Sequence, residues 1–210
     1  MKPQAILALL ALALAACGND PNRSNPLRLA DVFRGAETEG ASPTPRQLAQ
    51  VALTQLQEPV MLAELGNGER LALLVPLGEN GSVRTWTTID RQTIALRRGR
   101  VVATRGLGDD LMSSSAPRPG QGGQHTLVTL NAAHEPVRTS ANCRVSTEGS
   151  QVTSLASGER VTARHLVESC VAGNNTYRNE FWIGPNGQMR KSRQWLGATS
   201  GYLTLQVLRP

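Results

Sequence analysis

The sequence contains few aromatic residues and almost no lysine. Its 210 residues include three Trp, two Tyr and two Phe, so a buried core must consist mainly of Leu, Val, Ala and Ile. Lys2 and Lys191 are the only lysines among the 22 cationic residues, and the others are all Arg. Hydrophobic residues nevertheless make up 40% of the chain, which is enough for one sizeable core. This composition excludes a disordered chain, a collagen-like chain and a coiled coil.

Long apolar runs are also scarce, because the chain has only one, from Ala5 to Leu14. Ten residues are too few for a permanent membrane-spanning helix, which needs about 20, and a polytopic membrane protein is therefore excluded. Lys2 precedes the run and Ala15 and Ala16 follow it, which is the order of a secretory signal. The formal net charge of +6 indicates attraction to anionic partners but does not specify a fold.

The signal ends in Leu14-Ala15-Ala16-Cys17, which resembles the lipobox of bacterial lipoproteins. In such proteins the signal is cut before the cysteine and the cysteine is acylated. Several acyl chains anchor a protein stably, whereas one chain alone holds it only marginally. Gly18 and Asn19 follow the cysteine, and by resemblance to sorted lipoproteins this favours the outer membrane. We therefore expect a signal peptide over residues 1–16, acyl lipid on Cys17, and a position at the periplasmic face of the outer membrane.

Cys143 and Cys170 are the cysteines that remain for the folded domain. An even pair in an oxidising compartment predicts a disulfide. The bond would close a loop of 27 residues, which the chain-entropy model values at about 3 kcal/mol. A metal site or a nucleophile is the alternative, but the pair lacks further His or Cys residues at the spacing of zinc ligands. We expect a disulfide, no metal and no cofactor.

The mature chain is predicted to begin with a lipidated polar tether over residues 17–28, followed by one domain over residues 29–210. A short helical turn is expected over Leu27–Phe33. Thr44-Pro45 then predicts the start of an amphipathic helix, which Pro59 ends. The apolar face of this helix is formed by residues at spacings of three and four, namely Leu48, Val51, Ala52 and Leu56.

Everything after residue 59 is typical of strands, with turn residues at regular intervals. Nine or ten strands without intervening helices predict an all-β, antiparallel β-barrel or a barrel-like sandwich, since a parallel sheet needs crossover helices. Within Val137–Thr147 the alternation places Ala141 and Cys143 on one face and Arg144 on the other. The segment Ser113–Gln124, rich in Ser, Pro and Gly, is expected to be a mobile loop.

Motifs that would indicate an enzyme or a nucleotide-binding protein are missing, including the P-loop, the Rossmann fingerprint, the nucleophile elbow and the zinc-protease motif. Asp109 and Asp110 are neighbours on the chain, and we expect a turn role for them rather than acid–base catalysis. His125, His134 and His165 lie apart, without a Ser or Cys partner at a telling spacing. The sequence therefore predicts no catalytic residue and no nucleic-acid partner.

Two segments are more informative. The first is Gly99–Leu111, and the second extends from Phe181-Trp182-Ile183 through Lys191–Trp195 to Leu208–Pro210. Together with Trp86 and the cysteine pair, these segments resemble the YjbF family of lipoproteins, which includes the group 4 capsule lipoprotein. The resemblance covers roughly residues 29–210. It implies a periplasmic β-barrel attached to the outer membrane and a role in producing or exporting extracellular polysaccharide, beside an outer-membrane barrel and a second periplasmic protein.

Tryptophan beside a cation can stack on a sugar ring or bind an acidic glycan. The candidate contact residues for a glycan or a protein partner are Trp86, Trp182, Lys191, Arg193 and Trp195. The competing interpretation, which we favour, places the tryptophans in the barrel interior, where large apolar side chains usually lie.

Three functions are consistent with these observations. The preferred one is a non-enzymatic accessory factor that binds an anionic polysaccharide or an outer-membrane partner. A polysaccharide lyase or hydrolase would need clustered catalytic groups, which the sequence does not offer. A lipid or lipoprotein carrier would need a large apolar cavity, for which the chain has few large aromatic residues.

Overall fold

The computed structural model describes residues 43–66, 68, 70–131 and 133–210. The predicted signal peptide, Cys17, the tether and the helical turn over Leu27–Phe33 lie outside these residues. One helix and twelve strands make up the described chain. They are α1 (Pro45–Gln55), β1 (Val60–Leu65), β2 (Arg70–Asn80), β3 (Val83–Thr87), β4 (Thr93–Arg97), β5 (Arg100–Arg105), β6 (Leu111–Ser115), β7 (Gly123–Leu130), β8 (Pro136–Ser154), β9 (Arg160–Ala172), β10 (Asn175–Ile183), β11 (Met189–Gly197) and β12 (Gly201–Arg209).

The strands form one antiparallel sheet in the order β5-β4-β3-β2-β1-β12-β11-β10-β9-β8-β7-β6. Sequential strands pair as hairpins, and β1 pairs with β12 to join the two halves of the chain. The end strands β5 and β6 meet at a seam. There the Leu111 backbone N–H donates to Thr104 Oγ1 over 2.9 Å, and Arg105 Nη1 donates to the Leu111 carbonyl over 3.2 Å. The result is a nearly closed barrel, which confirms the predicted fold class.

Helix α1 begins as the sequence predicts. Thr44 caps it through a reciprocal capping box with Gln47, and Pro45 occupies the first turn. Leu48 and Ala52 are fully buried against the outer face of the barrel, where they pack with Leu62 and other residues of β1, β2 and β12. A second apolar cluster fills the barrel interior from all sides of the sheet. None of the described helices is long and apolar enough to cross a bilayer.

The strand count and two boundaries differ from the prediction. The structure has twelve strands rather than nine or ten, and the Ser-rich start of the predicted loop forms β6 and pairs with β7. Serine has no strong strand preference, but Ser114 is buried and hydrogen-bonded, so tertiary contacts decide its conformation. Strand β8 continues through a register shift near Gly149, whose φ is +82°.

Candidate functional site

A cleft of about 320 Å³ opens at the end of the barrel formed by the β2–β3 and β4–β5 turns and the start of β11. Four cationic residues line it, and Glu79 is the one carboxylate among its described lining residues. This excess of positive charge in a concave surface attracts anions. The cationic residues of the cleft are Arg84, Arg98, Arg190 and Lys191.

Trp86 is the aromatic residue of this cleft. It extends from β3 into the interior cluster and is only 5% exposed. The guanidinium of Arg84 lies 5.9 Å from the centroid of its ring, and the same guanidinium forms an exposed ion pair with Glu79. Trp86 is therefore a rigid, mostly buried wall, as the interior interpretation expects, with a cation held beside it.

Lys191 belongs to a row of side chains that crosses three neighbouring strands. In the register of β9, β10 and β11, Trp182 lies between His165 and Lys191. The rings of Trp182 and His165 stack at 4.5 Å, and Lys191 Nζ lies 5.2 Å from the Trp182 centroid. His165 in turn contacts Glu180 over 2.9 Å. Trp182 is thus half-buried on the outer face of the barrel, so the interior interpretation is wrong for this tryptophan. The Lys191 ammonium group lies on the same outer face.

Arg193 and Trp195, the other two candidate contact residues, do not line the cleft. The Arg193 guanidinium lies 3.5 Å from the centroid of the Tyr202 ring. Trp195 stacks on Tyr177 at 4.4 Å and packs against the interior cluster. Trp86 and Lys191 therefore both line the cleft, but the Lys191 ammonium group lies with Trp182 on the outer face. Arg193 and Trp195 lie outside the cleft.

A polar network that sequence reasoning missed lies inside the barrel. Arg100 donates to both carboxylate oxygens of Glu168, over 3.0 and 2.8 Å, and Asn179 Nδ2 donates to the same carboxylate over 2.7 Å. Gln194 accepts from the Val101 backbone N–H and donates to the Gly99 carbonyl. Each of these side chains is a polar residue at an inward position of its strand. That position was the one signal in the sequence, because a buried polar group requires a partner.

Burial alone would raise the pKa of Glu168, but the hydrogen bonds and charge of Arg100 and the amide of Asn179 outweigh it. The pKa of Glu168 therefore lies below its ordinary value. The carboxylate is ionised and fully engaged, so it is unsuited to proton transfer at neutral pH. This arrangement locks the interior of the barrel.

His125 lies beside this network and is buried. Its Nε2 lies 3.0 Å from Ser114 Oγ, and its Nδ1 lies 3.0 Å from the Tyr177 hydroxyl. The expectation that no histidine has a serine or cysteine partner is wrong for His125, because strand pairing joins residues that are distant in sequence. Burial, followed by the nearby charge of Arg100, lowers the pKa of His125 to about 4, so the imidazole is neutral at pH 7.

Cys143 and Cys170 form the predicted disulfide, directly across the β8–β9 pair. Their sulfurs, one His125 nitrogen and one Glu168 oxygen all lie within 4.8 Å of one another. The two sulfurs are bonded to each other and Glu168 is paired with Arg100, so these atoms do not act together as metal ligands in this state. The pairing and the inward direction of Cys143 confirm the alternation predicted for β8.

Asp110 has the structural role that the sequence predicts. Its carboxylate accepts from the backbone N–H groups of Gly106 and Leu107 over 2.7 and 3.1 Å, and from Thr104 Oγ1 over 2.9 Å. These bonds brace the β5–β6 connection at the seam.

A second cavity, of about 800 Å³, lies beside α1 and reaches the barrel interior. Its lining is largely apolar, with polar groups such as Arg70 and Asp90 among the described residues. The apolar lining residues include Leu48, Leu65, Leu71, Leu74, Ile94 and Leu107.

Comparison with known proteins gives consistent results. A family model described as the group 4 capsule polysaccharide lipoprotein gfcB, YjbF, matches residues 27–208. The lipoprotein YjbF of Escherichia coli (strain K12) is 28% identical over 145 residues, which cover 64% of this chain and 68% of that protein. The crystal structure of the hypothetical lipoprotein YmcC from Escherichia coli (K12) superposes with a TM-score of 0.68 at 20% identity, covering 86% of this chain and 93% of the other. The last match shows a shared fold.

Proposed function

Because the chain belongs to the YjbF family of group 4 capsule polysaccharide lipoproteins, we propose that it is a non-enzymatic accessory factor in producing or exporting an extracellular polysaccharide. It acts at the periplasmic face of the outer membrane, held there by acyl lipid on Cys17. The family match carries this proposal, because it spans nearly all of the predicted domain. An outer-membrane barrel or a second periplasmic protein of the same export system is its expected protein partner.

The sequence supports the anchor. Leu14–Cys17 has the lipobox pattern, and Gly18 and Asn19 follow it without an intervening acidic residue. Residues 17–28 provide a tether, so the domain over residues 29–210 reaches into the periplasm while its lipid stays in the bilayer.

The barrel-end cleft supports binding of the polysaccharide itself. It combines an aromatic wall, Trp86, with four cationic side chains, of which Arg84 and Arg190 are paired with Glu79 and Glu159. Aromatic rings pack against the apolar faces of sugars, and Arg and Lys attract the acidic groups of an anionic polymer. The guanidinium of Arg84 lies 5.9 Å from the centroid of the Trp86 ring, so a cation and the aromatic wall adjoin each other in the cleft.

The geometry of the described carboxylates favours a binding role over a lyase or hydrolase. Glycoside hydrolysis uses two carboxyl groups about 5–9.5 Å apart that flank the scissile bond. Glu79, the carboxylate of the cleft, is paired with Arg84. Glu168 and Asp110 are engaged in structural hydrogen bonds.

Deletion and complementation test this proposal. A strain lacking the gene should lose surface polysaccharide, and the wild-type gene should restore it. Arg84→Glu should fail to restore polysaccharide although the protein is folded and membrane-bound, whereas Arg160→Glu should restore it. Arg160 is the matched control because it is exposed and lines none of the described cavities. Unchanged polysaccharide in the deletion strain would reject the proposed role. If the purified protein shortened the polymer over time, the alternative of a lyase or hydrolase would be favoured.

The large apolar cavity beside α1 supports a second candidate, a carrier of lipid or of an acylated protein. Its volume of about 800 Å³ is in the range of ligand-binding cavities. A fluorescent fatty acid should bind to the purified protein in this case, and Ala72→Trp, which adds bulk to the cavity lining, should reduce binding. Absence of binding would reject the carrier.

A further inference from the structure

A smaller cavity of about 70 Å³ lies at the seam of the barrel, between the β4–β5 turn and the loop after β6. Its described lining contains no carboxylate and includes two serines, Ser114 and Ser115. A water occupies about 30 Å³ in the liquid, so the cavity has room for a small group such as a carboxylate. Four arginines line it, namely Arg97, Arg98, Arg100 and Arg118.

Arg100, one of the residues that line this cavity, has a buried donor that lacks an acceptor. The residue is 3% exposed, and its two terminal nitrogens are used in the bidentate pair with Glu168. Its Nε is buried and has no hydrogen-bond partner among the described residues. A buried donor without an acceptor costs free energy, and an anionic oxygen in the cavity would supply one.

The other three arginines are exposed, and none forms an ion pair within the part of the chain that the structure describes. Arg98 also adopts a φ of +53°, a left-handed conformation that is uncommon for a residue other than glycine. Guanidinium groups bind carboxylates through paired, charge-assisted hydrogen bonds. The seam therefore concentrates unpaired carboxylate-binding groups around a cavity of matching size.

Arg98 lines both this cavity and the barrel-end cleft. A sugar ring beside Trp86 could thus extend an acidic substituent past Arg98 into the seam. We propose that the seam cavity binds the carboxylate of a uronic acid residue, so that the ligand is a uronate-containing polysaccharide. This inference rests on the proposed function, and it specifies the chemical class of the polymer.

Calorimetric titration with a short oligogalacturonate and with its methyl ester tests the inference. The ester keeps the sugar rings but removes the negative charges. We expect the full-length mature protein to bind the acid at least about tenfold more tightly than the ester, as expected for charge-assisted hydrogen bonds. Arg97→Gln and Arg118→Gln should weaken binding of the acid and leave binding of the ester unchanged. Arg160→Gln, the exposed control, should change neither.

Each of the other possible results would overturn all or part of the inference. Equal affinity for acid and ester would overturn the uronate site while leaving polysaccharide binding in place. If the protein bound neither oligosaccharide but did bind the polysaccharide from the producing cells, only the uronate assignment would be overturned. If it did not bind that polysaccharide either, the binding cleft of the proposed function would be rejected. If a polyglutamate peptide bound as tightly as the oligogalacturonate, with the same dependence on Arg97 and Arg118, the ligand would be an acidic protein partner and not a polysaccharide. If Arg160→Gln weakened binding as much as Arg97→Gln, the effect would be one of overall charge and the site would be rejected.

Discussion

Arg100 on β5 and Glu168 on β9 are joined across the barrel interior by two hydrogen bonds of 3.0 and 2.8 Å. Both side chains are almost completely buried. Asn179 binds the same carboxylate, and the Arg100 guanidinium lies 5.0 Å from the centroid of the Phe181 ring. The pair therefore joins β5, at the seam of the barrel, to β9 across the interior.

Arg100→Leu should destabilise the protein strongly, because it leaves the Glu168 carboxylate buried without its cation. Breaking a buried ion pair in this way costs about 3–5 kcal/mol. The free energy of unfolding from urea denaturation measures the effect. Arg84→Leu is the matched control, since the exposed pair of Arg84 and Glu79 should contribute at most about 1 kcal/mol. Similar losses in the two variants would contradict the structural role of Arg100.

Stability should decrease between about pH 6.5 and pH 4 because of His125. Its pKa is about 4 in the folded protein, against 6.5 for an ordinary histidine. The unfolded chain therefore takes up a proton first as the pH falls, and the folded state loses about 3 kcal/mol across this window. Below pH 4 this contribution is already lost, and above pH 6.5 it is fully present.

Urea denaturation at a series of pH values measures this dependence. The interval from pH 6.5 to 5 is the most informative, because Glu168, with its lowered pKa, loses its contribution only below about 4.5. His125→Gln should flatten the slope in that interval, whatever its effect on absolute stability. An unchanged slope in His125→Gln would show that another group is responsible.

The elements that the sequence predicted well depend on local chemistry. The Thr44 cap and Pro45 define the start of α1, and the alternation around Cys143 gives its inward direction. The polar interior could not be predicted in the same way. Arg100 and Glu168 are 68 residues apart, and only the closure of the sheet makes them partners. For the same reason the cleft could not be derived, since strands from both halves of the chain contribute Trp86 and Lys191.

Replacing both cysteines of the disulfide by serine should lower the melting temperature by several degrees. The bond between Cys143 and Cys170 closes a loop of 27 residues, which corresponds to about 3 kcal/mol in the chain-entropy model. Calorimetry of the double variant measures the change. Alkylation of protein purified without reductant provides the check on the starting state, since two freely reacting thiols would exclude the bond.

Cys17→Ser should abolish lipid attachment and leave the protein uncleaved or free in the periplasm. The lipobox presents the thiol of Cys17 as the acceptor, and serine cannot form the thioether. Labelling with a radioactive fatty acid, followed by separation of the membranes, measures the outcome. A variant that is unlabelled yet still fractionates alone with the outer membrane would contradict anchoring by lipid.

The affinity of the purified protein for the polysaccharide made by the same cells tests the central claim most directly. Titration of fluorescently labelled polymer with wild-type protein, Arg84→Glu and Arg160→Glu compares the cleft with a surface position outside it. The account predicts saturable binding by the wild type and unchanged affinity in Arg160→Glu. It predicts a loss of at least about tenfold in Arg84→Glu, as expected when a charge is reversed at a charged contact. Equal affinities in all three proteins, or no binding by the wild type, would contradict a polysaccharide-binding cleft at this end of the barrel.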